Sequence, residues 1–211
     1  METRRKIIID TDIGDDIDDA FAILLAVLSE KFEILGVTTV FRNSLHRGRI
    51  AKALLESAGA DVPVYAGADE PIDGKIPTFP FEDTDADGKP AIPHYFPEME
   101  EERTEKAPAE NFILDLADLY PQEVSIVALA PLTNLAKAAK KRPDSFRKIK
   151  EIFLMGGDGT FHFAEWNVRC DCAAAKTVFD FGVDILLCGF DITSSARLSR
   201  EDVTRLRALR A

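Results

Sequence analysis

Near its start the chain reads Lys6-Ile7-Ile8-Ile9-Asp10-Thr11-Asp12-Ile13-Gly14-Asp15-Asp16-Ile17-Asp18-Asp19, an apolar run followed directly by an aspartate-rich turn. The first four residues have the composition of a short buried strand. Beyond the turn, Phe21, Leu24, Leu25 and Leu28 recur at the spacing of one helix face. The sequence therefore predicts a strand, a turn and a helix in this order, with the acids on the turn.

This acidic turn is the candidate active centre. Six of the ten residues from Asp10 to Asp19 are aspartates, and no Lys or Arg within the turn neutralises them. Carboxylates packed together without counter-charge acquire raised pKa values or require a cation, and oxygen-only ligands select Ca²⁺ or Mg²⁺. Open α/β sheets bind ligands at the carboxyl ends of their strands, where this turn would lie. The alternative interpretation is a solvated acidic loop with one helix cap.

Strand and helix patterns alternate along the whole chain. The predicted strands lie near residues 6–10, 33–38, 63–65, 123–128, 150–154 and 184–189. The predicted helices lie near residues 18–29, 44–58, 110–119, 132–141, 172–181 and 199–209. The strand segments are largely continuous apolar runs, as strands covered on both faces must be. The pattern predicts an α/β fold with a doubly wound, mainly parallel sheet flanked by helices, formed by residues 1–211 as a single domain.

Composition limits the classes of function. The formal net charge is −11 and no Lys/Arg-rich stripe is present, which argues against nucleic acid as a partner and favours a small molecule or a metal ion. No apolar stretch approaches the roughly 18 residues of a membrane span, so no membrane partner is expected. The 3 cysteines cannot all pair, and we expect no signal peptide before the first strand. The expected location is therefore the reducing cytoplasm.

One irregular stretch, residues 68–108, contains most of the prolines and many acids. We expect a long surface excursion that forms a mobile lid or rim. Within it, Asp83-Thr84-Asp85-Ala86-Asp87-Gly88 opens like an EF-hand calcium loop, but His94 stands where the bidentate glutamate belongs. We interpret this segment as a solvated loop.

Polar residues follow the ends of four predicted strands, and packing of a hydrophobic core does not explain them. Five motifs at these positions, in order, resemble the inosine-uridine-preferring nucleoside hydrolase family: Asp10-Thr11-Asp12-Ile13-Gly14 with Asp18-Asp19-Ala20, Asn43 shortly after Thr38-Thr39-Val40, Pro131-Leu132-Thr133-Asn134, Met155-Gly156-Gly157, and Glu165-Trp166-Asn167. The resemblance covers essentially the whole chain and implies the same α/β fold.

The resemblance implies calcium-dependent hydrolysis of the N-glycosidic bond of ribonucleosides. Asp12 and Asp19 would be metal carboxylates, and the backbone carbonyl of Thr133 would be a further ligand, because Ca²⁺ accepts main-chain oxygens. Asp12 would also be the catalytic base that takes the proton of the attacking water. The resemblance further implies a homo-oligomer, either a dimer or a tetramer.

A second group of residues would hold the nucleoside. Asp18, Asn43, Glu165 and Asn167 would bind the ribose hydroxyls, and carboxylates near the ring would stabilise an oxocarbenium-like transition state. Trp166 would stack on the leaving base, as would three phenylalanines of the same loops, Phe41, Phe161 and Phe163.

The chain departs from the family pattern in two places. Two extra residues lengthen the acidic turn, so the register is anchored on Asp18-Asp19-Ala20, and Asp15 or Asp16 remains open as an alternative ligand. Family members also continue into a segment with a late histidine and a late aspartate, and neither occurs after Asp191. This predicts a fragment, a site completed by another chain, or an impaired enzyme that binds nucleoside or ribose without turnover.

Two further alternatives come from the same residues. Asp10-Thr11-Asp12 after an apolar strand also opens the Mg²⁺-dependent haloacid-dehalogenase-type phosphatases, but their remaining motifs are not matched. His162 and, less directly, His46 are candidate acids for the leaving base, although simple loop or capping histidines are expected more often. Asn134 is expected to be a cap or turn stabiliser.

Overall fold

The computed structural model describes residues 4–75, 91–160 and 164–208, together with residues 84, 88 and 162. Its centre is a six-stranded sheet with the order β3-β2-β1-β4-β5-β6, in which every neighbouring pair is parallel. The strands are β1 Arg5–Thr11, β2 Phe32–Thr39, β3 Val64–Ala66, β4 Val124–Ala128, β5 Glu151–Met155 and β6 Ile185–Cys188. The predicted α/β sheet is confirmed.

All six predicted helices are present. The α-helices are α1 Asp18–Leu28, α2 Ser44–Ser57, α3 Ala109–Leu119, α4 Thr133–Lys141, α5 Pro143–Phe146, α6 Trp166–Cys170, α7 Cys172–Phe179, α8 Phe190–Thr193 and α9 Arg200–Ala208, and a 3₁₀ helix spans Pro97–Glu101. The sequence did not predict α5, α6, α8 or the 3₁₀ helix. In the described part of the chain, none of these helices has both the length and the apolar character needed to cross a membrane.

Helices cover both faces of the sheet. Successive residues of a strand point to opposite faces, so neighbours in β1 contribute to different clusters. Ile7 and Ile9 of β1 join one buried cluster, which includes Ile23 of α1 and Leu55 of α2. Ile8, between them, joins a second cluster formed mainly with α3, α4 and α7. One apolar strand therefore supports two helical layers, which is the doubly wound arrangement that was predicted.

The strand order reverses beside β1. From β1 the chain adds β2 and β3 on one side, then returns through α3 to place β4 on the other side, followed by β5 and β6. Neighbouring connections that leave a sheet in opposite directions open a crevice at the carboxyl ends of the strands. The acidic turn begins at this point, directly after β1.

Part of the excursion at residues 68–108 packs onto the acidic turn. Ile92 is buried, and the main-chain N–H of His94 donates to the carbonyl of Gly14 at 3.0 Å. Further along, Glu105 N donates to the carbonyl of Val64 at 2.7 Å beside β3. These contacts tie parts of the excursion to the turn and to the edge of the sheet, and the lid or rim stays a prediction. The acids of the EF-hand-like segment, Asp83, Asp85 and Asp87, lie outside the described residues.

Candidate active site

A cavity of about 810 Å³ opens at the carboxyl edge of the sheet. Six of the predicted site residues line it: Asp12, Asp18, Asp19, Glu165, Trp166 and Asn167. The first three come from the turn after β1 and the start of α1, and the last three from the loop after β5 and the start of α6. The strand reversal thus brings together two motifs that are about 150 residues apart in sequence.

Burial dominates the electrostatics of the two predicted metal carboxylates. Loss of hydration raises the pKa of Asp12 to about 6, against the attraction of Arg47 and with further repulsion from Asp15 and Asp18. Asp12 is half-buried, whereas Asp19 is buried, and burial together with the nearby Asp12 carboxylate raises the pKa of Asp19 well above the usual value. These are carboxylates whose ionised forms would gain from a bound cation.

Asp16 and Asp18 form a second, more exposed pair at the cavity wall. A hydrogen bond with Asp18 raises the pKa of Asp16 to about 7, and partial burial adds to the shift. Asp18 Oδ1 also accepts from the main-chain N–H of Asp19 at 3.0 Å, at the first turn of α1. Both carboxylates line the cavity together with Asp15. The alternative register, in which Asp15 or Asp16 is a ligand, therefore stays open.

Asp10 lies beneath the cavity and supports it. Its side chain is fully buried, and its Oδ1 accepts from Thr38 Oγ1 at 2.5 Å and from Asn134 Nδ2 at 2.8 Å. Asn134 also donates to the carbonyl of Thr39 at 3.0 Å and accepts from Ala68 N at 2.9 Å. Burial raises the pKa of Asp10 to about 7. Asn134 was expected to be a cap or turn stabiliser, but no side chain of the described residues caps α4, and Asn134 instead joins β1, β2 and α4.

The acidic turn has a counter-charge that the sequence did not reveal. Arg47 of α2 is fully buried, and its Nη2 forms an ion pair with Asp15 Oδ2 at 3.0 Å. The turn contains no basic residue of its own, so the prediction of unneutralised acids was incomplete. Arg47 is more than thirty residues away in sequence, and no periodicity could have linked it to the turn.

Glu165 is held rigidly at the opposite wall. Its carboxylate accepts from three main-chain N–H groups, at 3.0 Å from Gly157, 2.8 Å from Asn167 and 3.0 Å from Val168. It is therefore the N-cap of α6 as well as a cavity residue. Asn167 Nδ2 donates to the carbonyls of Leu129 and Met155, at 2.8 and 3.2 Å, so the atom Asn167 offers to a ligand is Oδ1.

Several lining residues were not predicted. Phe190, Thr193 and Ser194 follow β6, and the rule that parallel strand ends share one edge would have found them. Ala91 and Pro93 come from the excursion.

Arg42 is the one basic side chain among the described lining residues, and it has a left-handed φ of 61°. Its neighbour Phe41 has a φ of 76°. Both backbone conformations are strained, and such strain persists only where the surrounding packing holds the loop in place.

The comparisons agree with this geometry. A model of the family described as inosine-uridine preferring nucleoside hydrolase matches residues 7–211. The chain belongs to this family. It is 41% identical to uridine nucleosidase 1 of Arabidopsis thaliana, over 95% of this chain and 61% of the relative. It is 33% identical to the pyrimidine-specific ribonucleoside hydrolase RihB of Escherichia coli, over 96% of this chain and 65% of the relative.

A solved structure gives the same result for the fold of this nucleoside hydrolase family member. The purine-preferring ribonucleoside hydrolase from Gardnerella vaginalis matches with a TM-score of 0.78 and 26% identity, over 98% of this chain and 67% of that one. The chain spans 61% and 65% of the length of the two curated relatives above.

Two further residues implied by the family resemblance have contacts at the starts of α2 and α4. Asn43 is buried as the N-cap of α2, with Oδ1 accepting from His46 N at 3.2 Å, and Thr133 donates its hydroxyl to Asp171 Oδ2 at 2.8 Å. Neither is among the described lining residues. The residue after β4 that does line the cavity is Leu129. The roles predicted for Asn43 and for the main-chain carbonyl of Thr133 stay predictions.

The aromatic and histidine candidates differ in position. Trp166 lines the cavity, whereas Phe41 is buried in a cluster behind it, and Phe161 and Phe163 lie outside the described residues. His162 is exposed, with its main-chain N–H donating to Asp158 Oδ2 at 3.1 Å. His46 stacks on Tyr95 with ring centroids 3.8 Å apart. Of the described residues that line the cavity, none is a histidine.

Proposed function

We propose that this chain carries the reaction centre of a ribonucleoside hydrolase, which cleaves the N-glycosidic bond to give ribose and free base with the help of Ca²⁺. The observation that carries the proposal is the half-buried Asp12, which lines one cavity together with Glu165, Trp166 and Asn167. Membership of the family supports the reaction class. Because the chain spans only part of its relatives' length, the activity of the whole protein is included in the proposal.

Asp12 suits the role of general base. A pKa raised to about 6 leaves the carboxylate ionised at neutral pH, yet closer to the working pH than an exposed aspartate. As the bond from the anomeric carbon to the base nitrogen breaks, its electron pair would leave with the base, which takes up a proton from solvent. Asp12 would take one proton from water, whose oxygen forms the new bond to the anomeric carbon.

The donor set fits a hard cation. Asp12 and Asp19 would hold it through carboxylate oxygens, and a bound cation would favour the ionised forms that loss of hydration disfavours. When bound, the ion would supply Lewis acidity that makes a nearby water easier to deprotonate. Thr133 was the proposed main-chain ligand, but Leu129 lines the cavity and its carbonyl is the better candidate. Calcium is proposed over magnesium because it accepts this mixture of oxygens.

The opposite wall would bind the sugar. Glu165 and Asn167 are held in place by main-chain contacts, so they can present oxygen atoms to ribose hydroxyls without reorganisation. Asp18 would bind from the turn side, and Asn43, the N-cap of α2, is a further proposed contact. Carboxylates on both sides of the ring would stabilise the positive charge that develops as the base departs.

The relatives differ in the base that their names specify. One is a uridine nucleosidase, one is pyrimidine-specific and one is purine-preferring. We therefore propose ribonucleosides without a fixed base, with Trp166 as the stacking surface. We also propose a single domain, a cytoplasmic location and a homo-oligomer, a dimer or tetramer, whose mass light scattering would measure.

A nucleoside or ribose binder with little turnover is the second candidate. It is favoured by one observation: within the described residues, no three His, Cys, Asp or Glu side chains are grouped closely enough to hold a metal ion. The phosphatase alternative loses support, because its nucleophile would be Asp10, which is fully buried beneath Thr38 and Asn134. Phosphate release from p-nitrophenyl phosphate with Mg²⁺ is accordingly not expected.

Replacement of Asp12 tests the proposed function. Asp12→Asn keeps the size of the side chain but removes the base and one metal ligand, so kcat should fall by about 10³-fold or more. Release of reducing sugar from inosine and uridine measures the loss, and circular dichroism checks the fold. Asp61→Asn is the matched control, because Asp61 is fully exposed and pairs only weakly with Lys52 at 3.8 Å. Near-normal turnover in folded Asp12→Asn would contradict the proposal.

A further inference from the structure

Arg47 contacts two loops of the carboxyl edge at once. Its Nε donates to the carbonyl of Phe41 at 2.9 Å, in the loop after β2. Its Nη1 donates to the carbonyls of Asp12 and Ile13, the latter at 3.1 Å, and its Nη2 donates to Asp15 Oδ2 at 3.0 Å. Three nitrogens thus satisfy four acceptors, and the guanidinium ties the acidic turn to α2 and the loop before it.

We propose that Arg47 is a positioning residue that fixes the direction of the Asp12 carboxylate. This inference rests on the proposed function, in which Asp12 is the base and a metal ligand. Arg47 binds the main-chain oxygen of Asp12, so the carboxylate stays available to the cavity, which Asp12 lines. Arg47 is not among the described lining residues, so it acts through the turn without touching substrate.

Only arginine suits this position. A buried cation is tolerated when its hydrogen-bonding groups are all paired, and the planar fork of arginine reaches several acceptors in fixed directions. Lysine would carry the same charge, but as one point at the end of a flexible chain. The main-chain carbonyls of Asp12, Ile13 and Phe41 would then compete for one ammonium group. The shape of the guanidinium, as well as its charge, holds the turn.

The longer turn depends on the same residue. Asp15 is one of the two residues by which the turn exceeds the Asp-Thr-Asp-Ile-Gly pattern followed by Asp18-Asp19-Ala20. Its side chain is 41% exposed at the cavity wall, while the side chain of its partner Arg47 is 0% exposed. The added acid is thus paired with a cation on its protein side.

Arg47→Met, Arg47→Lys and Asp15→Asn test the inference, with Arg49→Met as the matched control. Arg49 lies on the same helix but bonds Tyr95 Oη at 2.8 Å and Glu100 at 2.5 Å, away from the turn. Three quantities are measured: kcat and KM for inosine and uridine, Ca²⁺ affinity by calorimetry, and amide hydrogen exchange of residues 11–16 without metal. Circular dichroism checks the fold of every variant.

Arg47→Met should lower kcat by about 100-fold with KM changed by less than about threefold, because a displaced base costs rate more than binding. Ca²⁺ affinity should fall by about tenfold, and exchange in the turn should accelerate while α2 stays protected. Arg47→Lys should recover only a small part of kcat, and Asp15→Asn, which loses the ion pair alone, should show the smallest change.

Folded Arg47→Met with kcat, Ca²⁺ affinity and turn exchange like those of Arg49→Met would overturn the inference. If Arg47→Met does not fold, Arg47→Lys decides: wild-type kcat would overturn the inference, and a lowered kcat at unchanged KM would support it. If the wild-type chain releases no sugar, the proposed function fails, and hydrogen exchange of the turn still decides the role of Arg47.

Discussion

At the scale of single residues, burial sets the chemistry of the acidic turn. Asp12 would titrate near the usual value of an aspartate in water, but loss of hydration raises its pKa to about 6 despite the attraction of Arg47. A base with such a pKa accepts a proton more readily than an exposed carboxylate and is still ionised at neutral pH. The same burial makes Asp19 a carboxylate that gains from a cation.

Trp166 provides a residue-scale prediction. Trp166 lines the cavity together with Glu165 and Asn167, and its indole is the proposed stacking surface for the base. Trp166→Ala should raise KM for inosine and uridine by about tenfold or more, because stacking on an aromatic ring contributes about 1–3 kcal/mol per base. Trp166→Phe, which keeps a ring, should stay within a few fold of wild type. Steady-state kinetics measure both, and equal KM values in the two variants would contradict stacking.

The sequence predicted residues that follow a strand directly and missed those that act across the fold. Asp12 and Asp19 flank a recognisable strand-to-helix turn, and Glu165-Trp166-Asn167 is a local motif, so their meeting in one cavity was foreseeable. Arg47 is an ordinary helical arginine in sequence, and only the packing of α2 under the turn makes it a buried counter-ion. Thr133 was placed by motif matching, but its position at the start of α4 faces Asp171.

At the scale of elements, the turn between β1 and α1 is clamped from both sides. Arg47 holds it from α2, and Ile92 of the excursion packs over Gly14. Gly14 has a φ of 124°, a conformation that side chains rarely adopt. A Cβ added there would collide with Ile92 and come within 2.8 Å of Ile50 Cδ1. The turn is therefore fixed by close packing as well as by hydrogen bonds.

Gly14→Ala should destabilise the protein by about 2–4 kcal/mol, the combined effect of the positive φ and of overpacking. Gly59→Ala is the matched control, because Gly59 has a φ of 71° but no atom lies within 4 Å of the added Cβ. That control isolates the conformational term and should cost about 1–2 kcal/mol. Urea denaturation measures both. Equal losses in the two variants would show that the packing around Gly14 is looser than described.

The strands and long helices were predictable because their apolar residues follow a repeated pattern. The short helices were not predictable. Each predicted strand agrees with an observed one to within about two residues, since continuous apolar runs mark strands that are buried on both faces. The helices α5 and α8 contain 4 residues each and α6 contains 5, which is too short for a periodic apolar face. Two of them begin at local signals, a proline at the start of α5 and the cap Glu165 before α6.

At the scale of the whole molecule, the charge distribution points to a cation. The chain has a formal net charge of −11, and five aspartates of the turn line one cavity with Arg42 as the one basic side chain among the described lining residues. A cavity lined mainly by one sign of charge concentrates ions of the opposite sign.

Protons compete with metal for the same carboxylates, so the Ca²⁺ affinity should be higher at pH 8 than at pH 5.

Calorimetric titration of Ca²⁺ into EDTA-stripped protein at pH 8, followed by a reducing-sugar assay with inosine and uridine in the same sample, tests the central claim most directly. At that pH, Asp12 and Asp16, whose pKa values are raised to about 6 and about 7, are ionised. The account predicts saturable Ca²⁺ binding, with sugar release that appears only after calcium is added. Sugar release at the same rate in the stripped protein, or the absence of both binding and release, would contradict it.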